Sequence, residues 1–277
     1  MSTASTYSYP KQFKLENGKK IRNLQIAYQT FGKLNANKDN VVWVCHALTA
    51  NADVFEWWEG LFGPNALFNP QEHYVICANV LGSNYGTTNP LSKNPVTGQP
   101  YFLSFPQFTI RDFVSAHQLL ANHLGIDNIK LLIGGSLGGQ QAVEWGIAFN
   151  ESQRLAITTD RTFYANKSDG GSKGLKTARS IALLSYRTYS AYGNTQVESV
   201  NDKTDHFRAS SYQNYQGEKL INRFNAFSYY YLTKAMDSHN VGRNRKSIAE
   251  ALKLIKANTL VIGIENDFLF PVSEQKY

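Results

Sequence analysis

Residues 130–139, KLLIGGSLGG, decide how this chain reads. The run from Lys130 to Gly134 is short and continuously apolar after its first residue, which suits a strand buried on both faces rather than one that alternates. It passes directly into Gly134-Gly135-Ser136-Leu137-Gly138, a G-x-S-x-G pattern, and Leu137 opens a helix. A serine in so tight a strand-to-helix turn needs small flanking residues, and its hydroxyl is thrust out at the carboxyl end of the strand, where open α/β sheets bind ligands. Ser136 is therefore the predicted nucleophile, and the start of the following helix favours negative charge developing there. The bland alternative is a glycine-rich turn without chemistry. The order strand, serine, helix argues against it.

Working outward, residues 22–31 (RNLQIAYQTF) alternate like a half-buried strand, while 41–46 (VVWVCH) and 73–80 (HYVICANV) are further continuous apolar runs. Residues 81–99, rich in Gly, Asn, Pro and Ser, read as loop. Thr109 opens a helix with Asp112 in its first turn, and Gly125 ends it. Buried strands alternating with helices predict an α/β fold with a mostly parallel sheet covered on both faces. From 140 to 257 no strand is expected, only helices and loops dense in tyrosine. Residues 259–264 (TLVIGI) read as the next buried strand. The plan is a core (1–160), a helical insertion (161–256) and a return to the core (257–277).

The chain's 277 residues fit one large domain or a core carrying an insertion. With 42% hydrophobic and 18% charged residues it is neither disordered nor coiled coil nor collagen-like. Cys45 and Cys77 lie inside apolar runs and read as buried thiols of a reducing compartment. No run approaches a membrane span, and the first ten residues lack the marks of a secretory signal. The net charge of +7 is scattered. Its densest stretch, 242–256, reads as a solvated amphipathic helix with Ile248, Leu252 and Ile255 on one face, not as a nucleic-acid patch. No histidine pair has metal-ligand spacing and C-x-x-C is absent, so no metal is expected.

A serine nucleophile needs an oxyanion hole. One donor is expected from the N–H of Leu137, the other from the loop after 41–46, where the N–H of Leu48 is the candidate. His46 reads as loop structure rather than as a proton carrier. Asp267 lies just past 259–264 and is the natural acid of a triad, with an ordinary turn before Pro271 as its bland reading. In this order the base comes last, yet the six histidines (46, 73, 117, 123, 206 and 239) all precede Asp267.

At these residues the chain resembles the homoserine O-acetyltransferases, α/β-hydrolase-fold acyltransferases of methionine biosynthesis. The resemblance runs through His46-Ala47-Leu48-Thr49, Trp57-Trp58, Gly60-Leu61, Gly63-Pro64, residues 75–90, 134–145 (GGSLGGQQAVEW), 174–179 (GLKTAR), 215–237 and 266–271 (NDFLFP). It implies that Ser136 takes the acetyl group from acetyl-CoA and hands it to homoserine in a ping-pong scheme. It implies Asp267 as triad acid and Arg179 as the residue holding the substrate carboxylate, a task that suits a planar, always-charged guanidinium. It makes 161–256 a lid through which two copies form a homodimer. The implied enzyme is cytoplasmic, binds no resident cofactor, uses acetyl-CoA as co-substrate, and engages neither nucleic acid nor membrane.

Two departures from the family accompany the likeness. The family's triad histidine lies beyond the position of Tyr277. In addition, Trp145 runs straight into residues 146–151, where relatives place more of the helix and a sheet strand. The polypeptide as written is therefore expected to be weak or inactive, since without its base a triad keeps roughly 10³–10⁴ of rate over water. The favoured account is that the sequence is a fragment or mis-assembled version of an active enzyme. The alternatives are succinyl-CoA as donor or serine as acceptor on the same scaffold, an esterase with water as acceptor, and a non-catalytic truncated homologue.

Overall fold

The computed structural model describes residues 2–127, 129–143, 150–186, 189–198, 204–265, 267 and 270–275. Among them, β1 (Ser2–Ser8), β4 (Gln25–Phe31), β5 (Val41–Cys45), β6 (Tyr74–Ala78) and β7 (Leu131–Gly134) form one sheet in the order β1-β4-β6-β5-β7. The strands β2 (Phe13–Lys14) and β3 (Lys20–Ile21) form a separate ribbon. β5 pairs in parallel with both β6 and β7, while β1 and β4 run antiparallel to their neighbours. The helices are α1 (Val54–Trp58), α2 (Ile110–His123), α3 (Leu137–Val143), α4 (Asn150–Thr159), α5 (Ser172–Ser185), α6 (Tyr189–Gln196), α7 (Arg208–Ile221), α8 (Ala226–Asp237), α9 (Ile248–Leu252) and α10 (Val272–Gln275).

Two of the continuous apolar runs became the centre of the sheet; the run 130–134, expected to be buried on both faces, is instead the edge strand β7 among the described residues, with no residue fully buried and Leu132 45% exposed, because only β5 pairs with it. Every residue of β5 is buried, and so are four of the five in β6. Val42, Val44, Val75 and Cys77 share one face with Phe31 and are covered by Ala52, Val54 and Phe68, with Trp57 and Trp58 against them. Trp43 points to the other face and meets His117 of α2 at 5.7 Å. The predicted start of α2 is present: the Thr109 N–H donates to the Asp112 carboxylate at 2.8 Å, which satisfies one of the amides a helix start leaves unpaired. Gly125, at φ +69, follows the end of the helix. β1 was not expected. It pairs with β4 over seven residues, although its sequence STASTYS is small and polar.

Two compact units emerge. The sheet unit is Met1–Ala148 with Phe227–Ile248; the helical unit is Phe149–Ala226 with Ala249–Tyr277. The sequence-drawn insertion 161–256 is thus divided, because Phe227–Ile248 groups with the sheet. Phe102 packs on Phe227 at 5.3 Å, and the Tyr231 hydroxyl donates to the Leu103 carbonyl at 2.9 Å. Within the helical unit glycines set the spacing. A Cβ on Gly174 of α5 would lie 2.6 Å from the Ala156 carbonyl oxygen of α4, and one on Gly217 of α7 would lie 2.6 Å from Lys176 Cγ of α5. No strand occurs between 150 and 257 among the described residues, as expected.

Two expectations are corrected. Residues 259–264 form no strand, and Leu260, Val261, Ile262 and Ile264 are all exposed. An apolar run states a demand for burial, but a strand exists only with a ladder partner, and none pairs with this segment among the described residues. The helix expected over 242–256 is only α9, and Ile248, Leu252 and Ile255 are 36% to 43% exposed, so the apolar stripe meets no core. The expected gap after Trp145 falls on 144–149 and lies outside the described residues.

Candidate active site

The turn between β7 and α3 has the geometry its sequence predicts. Ser136 sits at φ +57, a conformation that costs a non-glycine residue about 1–3 kcal/mol and persists only where the surroundings enforce it. Two glycines do so. A Cβ on Gly134 would lie 2.4 Å from the Gly138 carbonyl, and one on Gly138 would lie 2.0 Å from the Cys45 carbonyl oxygen. Gly135 faces open space, so the intervening position is not sterically constrained. The turn closes through the Gly138 N–H to the Gly135 carbonyl and the Gln140 N–H to the Ser136 carbonyl, each at 2.9 Å. Ser136 itself is exposed.

Leu137 and Leu48 are both buried. Among the described residues neither backbone N–H donates to a protein acceptor, as two oxyanion donors require. What holds their loops together is Gln141, which sequence reasoning missed. Its Nε2 donates to the carbonyls of His46 and Leu137, both at 3.1 Å, bridging the loop after β5 to the first turn of α3. The signal was the pair Gln140-Gln141 directly behind the serine motif. Two amides on the short helix after a nucleophile turn are buried, and a buried amide needs partners.

His46 is structural, as read. It is fully buried, and burial lowers its pKa to about 4. The Val80 N–H donates to its Nε2 at 3.1 Å, so the proton sits on Nδ1, which donates to the Ala47 carbonyl at 2.8 Å. Both nitrogens are committed. The ring pins the loop carrying Leu48 to the end of β6 and cannot receive a proton from Ser136. His117 is likewise buried, its pKa lowered to about 3 by burial and by His46, and it donates to the Asn79 backbone.

Arg179 and Asp267 lie in the helical unit. Arg179 is on α5, with its guanidinium 5.7 Å from the Tyr186 ring and a buried Nε that has no hydrogen-bond partner among the described residues. Asp267 Oδ1 accepts the N–H of Phe270 at 2.8 Å, the turn role that its position before Pro271 allowed. No group of three or more His, Cys, Asp or Glu side chains forms a metal cradle among the described residues. No helix among them is long and apolar enough to cross a membrane.

This fold and this turn define an α/β-hydrolase-fold protein, and residues 40–277 match the family described as the α/β hydrolase fold. Within that class the chain belongs to the homoserine O-acetyltransferases, an acyltransferase family. It is 46% identical to the homoserine O-acetyltransferase of Cyclobacterium marinum, over 95% of this chain and 81% of that protein. It is 42% identical to that of Chlorobaculum parvum, over 99% of this chain and 84% of the relative. Among solved structures, homoserine O-acetyltransferase from Bacillus anthracis superposes with a TM-score of 0.89 at 25% identity, covering 100% of this chain and 86% of that one. Esterase E22 superposes with a TM-score of 0.85, also at 25% identity, covering 100% of this chain and 89% of that one. The alignment with the Chlorobaculum parvum relative spans 305 positions, more than the chain's 277 residues, so that relative carries residues inside the shared span that this chain lacks.

Proposed function

We propose that this chain transfers the acetyl group of acetyl-CoA to the hydroxyl of L-homoserine through an acetyl ester on Ser136. The observation that carries this reading is the exposed Ser136 at φ +57 between β7 and α3, with the N–H groups of Leu48 and Leu137 donating to no protein acceptor among the described residues. Ser136 Oγ attacks the thioester carbonyl, and the tetrahedral oxygen is held by the two amides. The C–S bond breaks and CoA leaves as a thiol with the serine proton. The homoserine hydroxyl then attacks the ester carbonyl, the bond to Ser136 breaks, and the serine regains a proton. Arg179, whose buried Nε has no protein partner among the described residues, grips the homoserine carboxylate. Asp267 takes the place of the triad acid. In this reading acetyl-CoA is a co-substrate and not a resident cofactor. The enzyme acts in the cytoplasm as a homodimer formed through the lid.

The test is kinetic and covalent together. Initial rates against acetyl-CoA and homoserine should give the parallel lines of a ping-pong scheme, and peptide mass spectrometry should find an acetyl adduct on Ser136 that Ser136→Ala abolishes. An adduct that forms but is not discharged faster by homoserine than by water would overturn the acceptor assignment. The likeness to esterase E22 favours a second reading, ester hydrolysis. Under it Arg179→Ala keeps full activity on simple esters; under acyl transfer it loses the homoserine-dependent rate.

A further inference from the structure

The outer edge of β7 and residues 259–264 are complementary, and the candidate active site uses neither. β7 bonds to β5 on one side, and no strand lies on its other side among the described residues. Ile129 and Leu132 stand in solvent at this edge, 43% and 45% exposed. Along 129–134 a single charge, Lys130, and no proline guard the exposed strand. Residues 259–264 (TLVIGI) carry no charge and no proline, and every residue from Leu252 to Glu265 is exposed. Such a six-residue segment is a strand in search of a ladder.

We propose that the free edge of β7 accepts residues 259–264 of a second copy of this chain as an added strand. Each copy then presents one acceptor edge and one donor segment, which makes the contact head-to-tail. Pairing satisfies the edge N–H and C=O groups and buries Leu132 against the donor's apolar residues, while no like charges meet across it.

Sedimentation of the whole chain between about 5 and about 200 µM should show a mass that climbs with concentration above its low-concentration value. Leu132→Lys blocks the acceptor and Ile262→Lys blocks the donor, so each alone holds the low-concentration mass. An equimolar mixture of the two keeps one working donor and one working acceptor, so it gains mass with concentration where neither variant alone does. A wild-type mass that stays constant, a variant that associates like the wild type, or a mixture that gains nothing overturns the proposal. Should either variant fail to fold, an excess of synthetic 259–264 peptide decides: loss of the concentration-dependent mass supports the contact, and an unchanged mass refutes it.

Discussion

Two apolar runs of similar chemistry end in opposite surroundings. VVWVC became β5, flanked by strands on both sides and buried at every position, whereas TLVIGI has no ladder partner among the described residues and stands exposed. The difference lies in the neighbours. β5 is held by β6, by β7 and by a following loop that both nitrogens of His46 fasten in place. Apolar composition states what a segment would gain from burial; it does not supply the partner.

The comparison can be broken or sharpened by experiment. The largest effect belongs to Gly138→Ala. Its Cβ would fall 2.0 Å from the Cys45 carbonyl oxygen, so we expect a loss of more than about 4 kcal/mol in urea unfolding, together with loss of Ser136 acetylation. Next is Ile76→Ala, a fully buried residue of β6, expected to cost about 3 kcal/mol by the same measurement. Gln141→Leu should follow at about 2 kcal/mol, since it strips the His46 and Leu137 carbonyls of a buried donor. It should also slow acetylation of Ser136 while leaving the apparent affinity for acetyl-CoA nearly unchanged. Acid tests the same region. His46 and His117 are kept neutral in the fold, their pKa values lowered from 6.5 to about 4 and about 3. The unfolded chain takes up these protons below pH 6.5 and the folded chain does not, so stability is full above pH 6.5 and declines as pH falls toward 4. Urea midpoints across that range should fall, less steeply in His117→Phe. The smallest effect is expected for Ile262→Ala at a concentration too low for association, within about 0.5 kcal/mol, because the side chain is 78% exposed. A cost like that of Ile76→Ala would show that 259–264 is buried in solution and end the contrast.

Much of the sheet was legible because its central strands are continuous apolar runs, and the nucleophile turn because Gly134 and Gly138 are sterically obligatory. β1 was not legible. Its Ser and Thr residues are held by backbone pairing with β4, which composition does not reveal. Residues 259–264 misled for the reason already given, and 242–256 because a helical stripe is no guarantee of a core to receive it. Leu48 and Leu137 could be named from loop order alone. Gln141 was signalled only by its place behind the serine motif, since its role depends on two carbonyls from different parts of the chain converging on one amide. Arg179 and Asp267 rest on family likeness, and their local contacts, a tyrosine ring and a turn, are ones any arginine or aspartate could make.

The two thiols have a practical consequence. Cys45 and Cys77 are free and buried on adjacent strands, and burial pushes the Cys45 thiol up to about 12 and raises Cys77 well above its ordinary value. Neither offers a thiolate near neutral pH. The native chain should therefore be silent toward a chromogenic disulfide, and CoA release can be read continuously without protein background. Any slow colour that appears without substrate then marks the moment when β5 and β6 part, making the assay reagent a clock for the opening of the sheet.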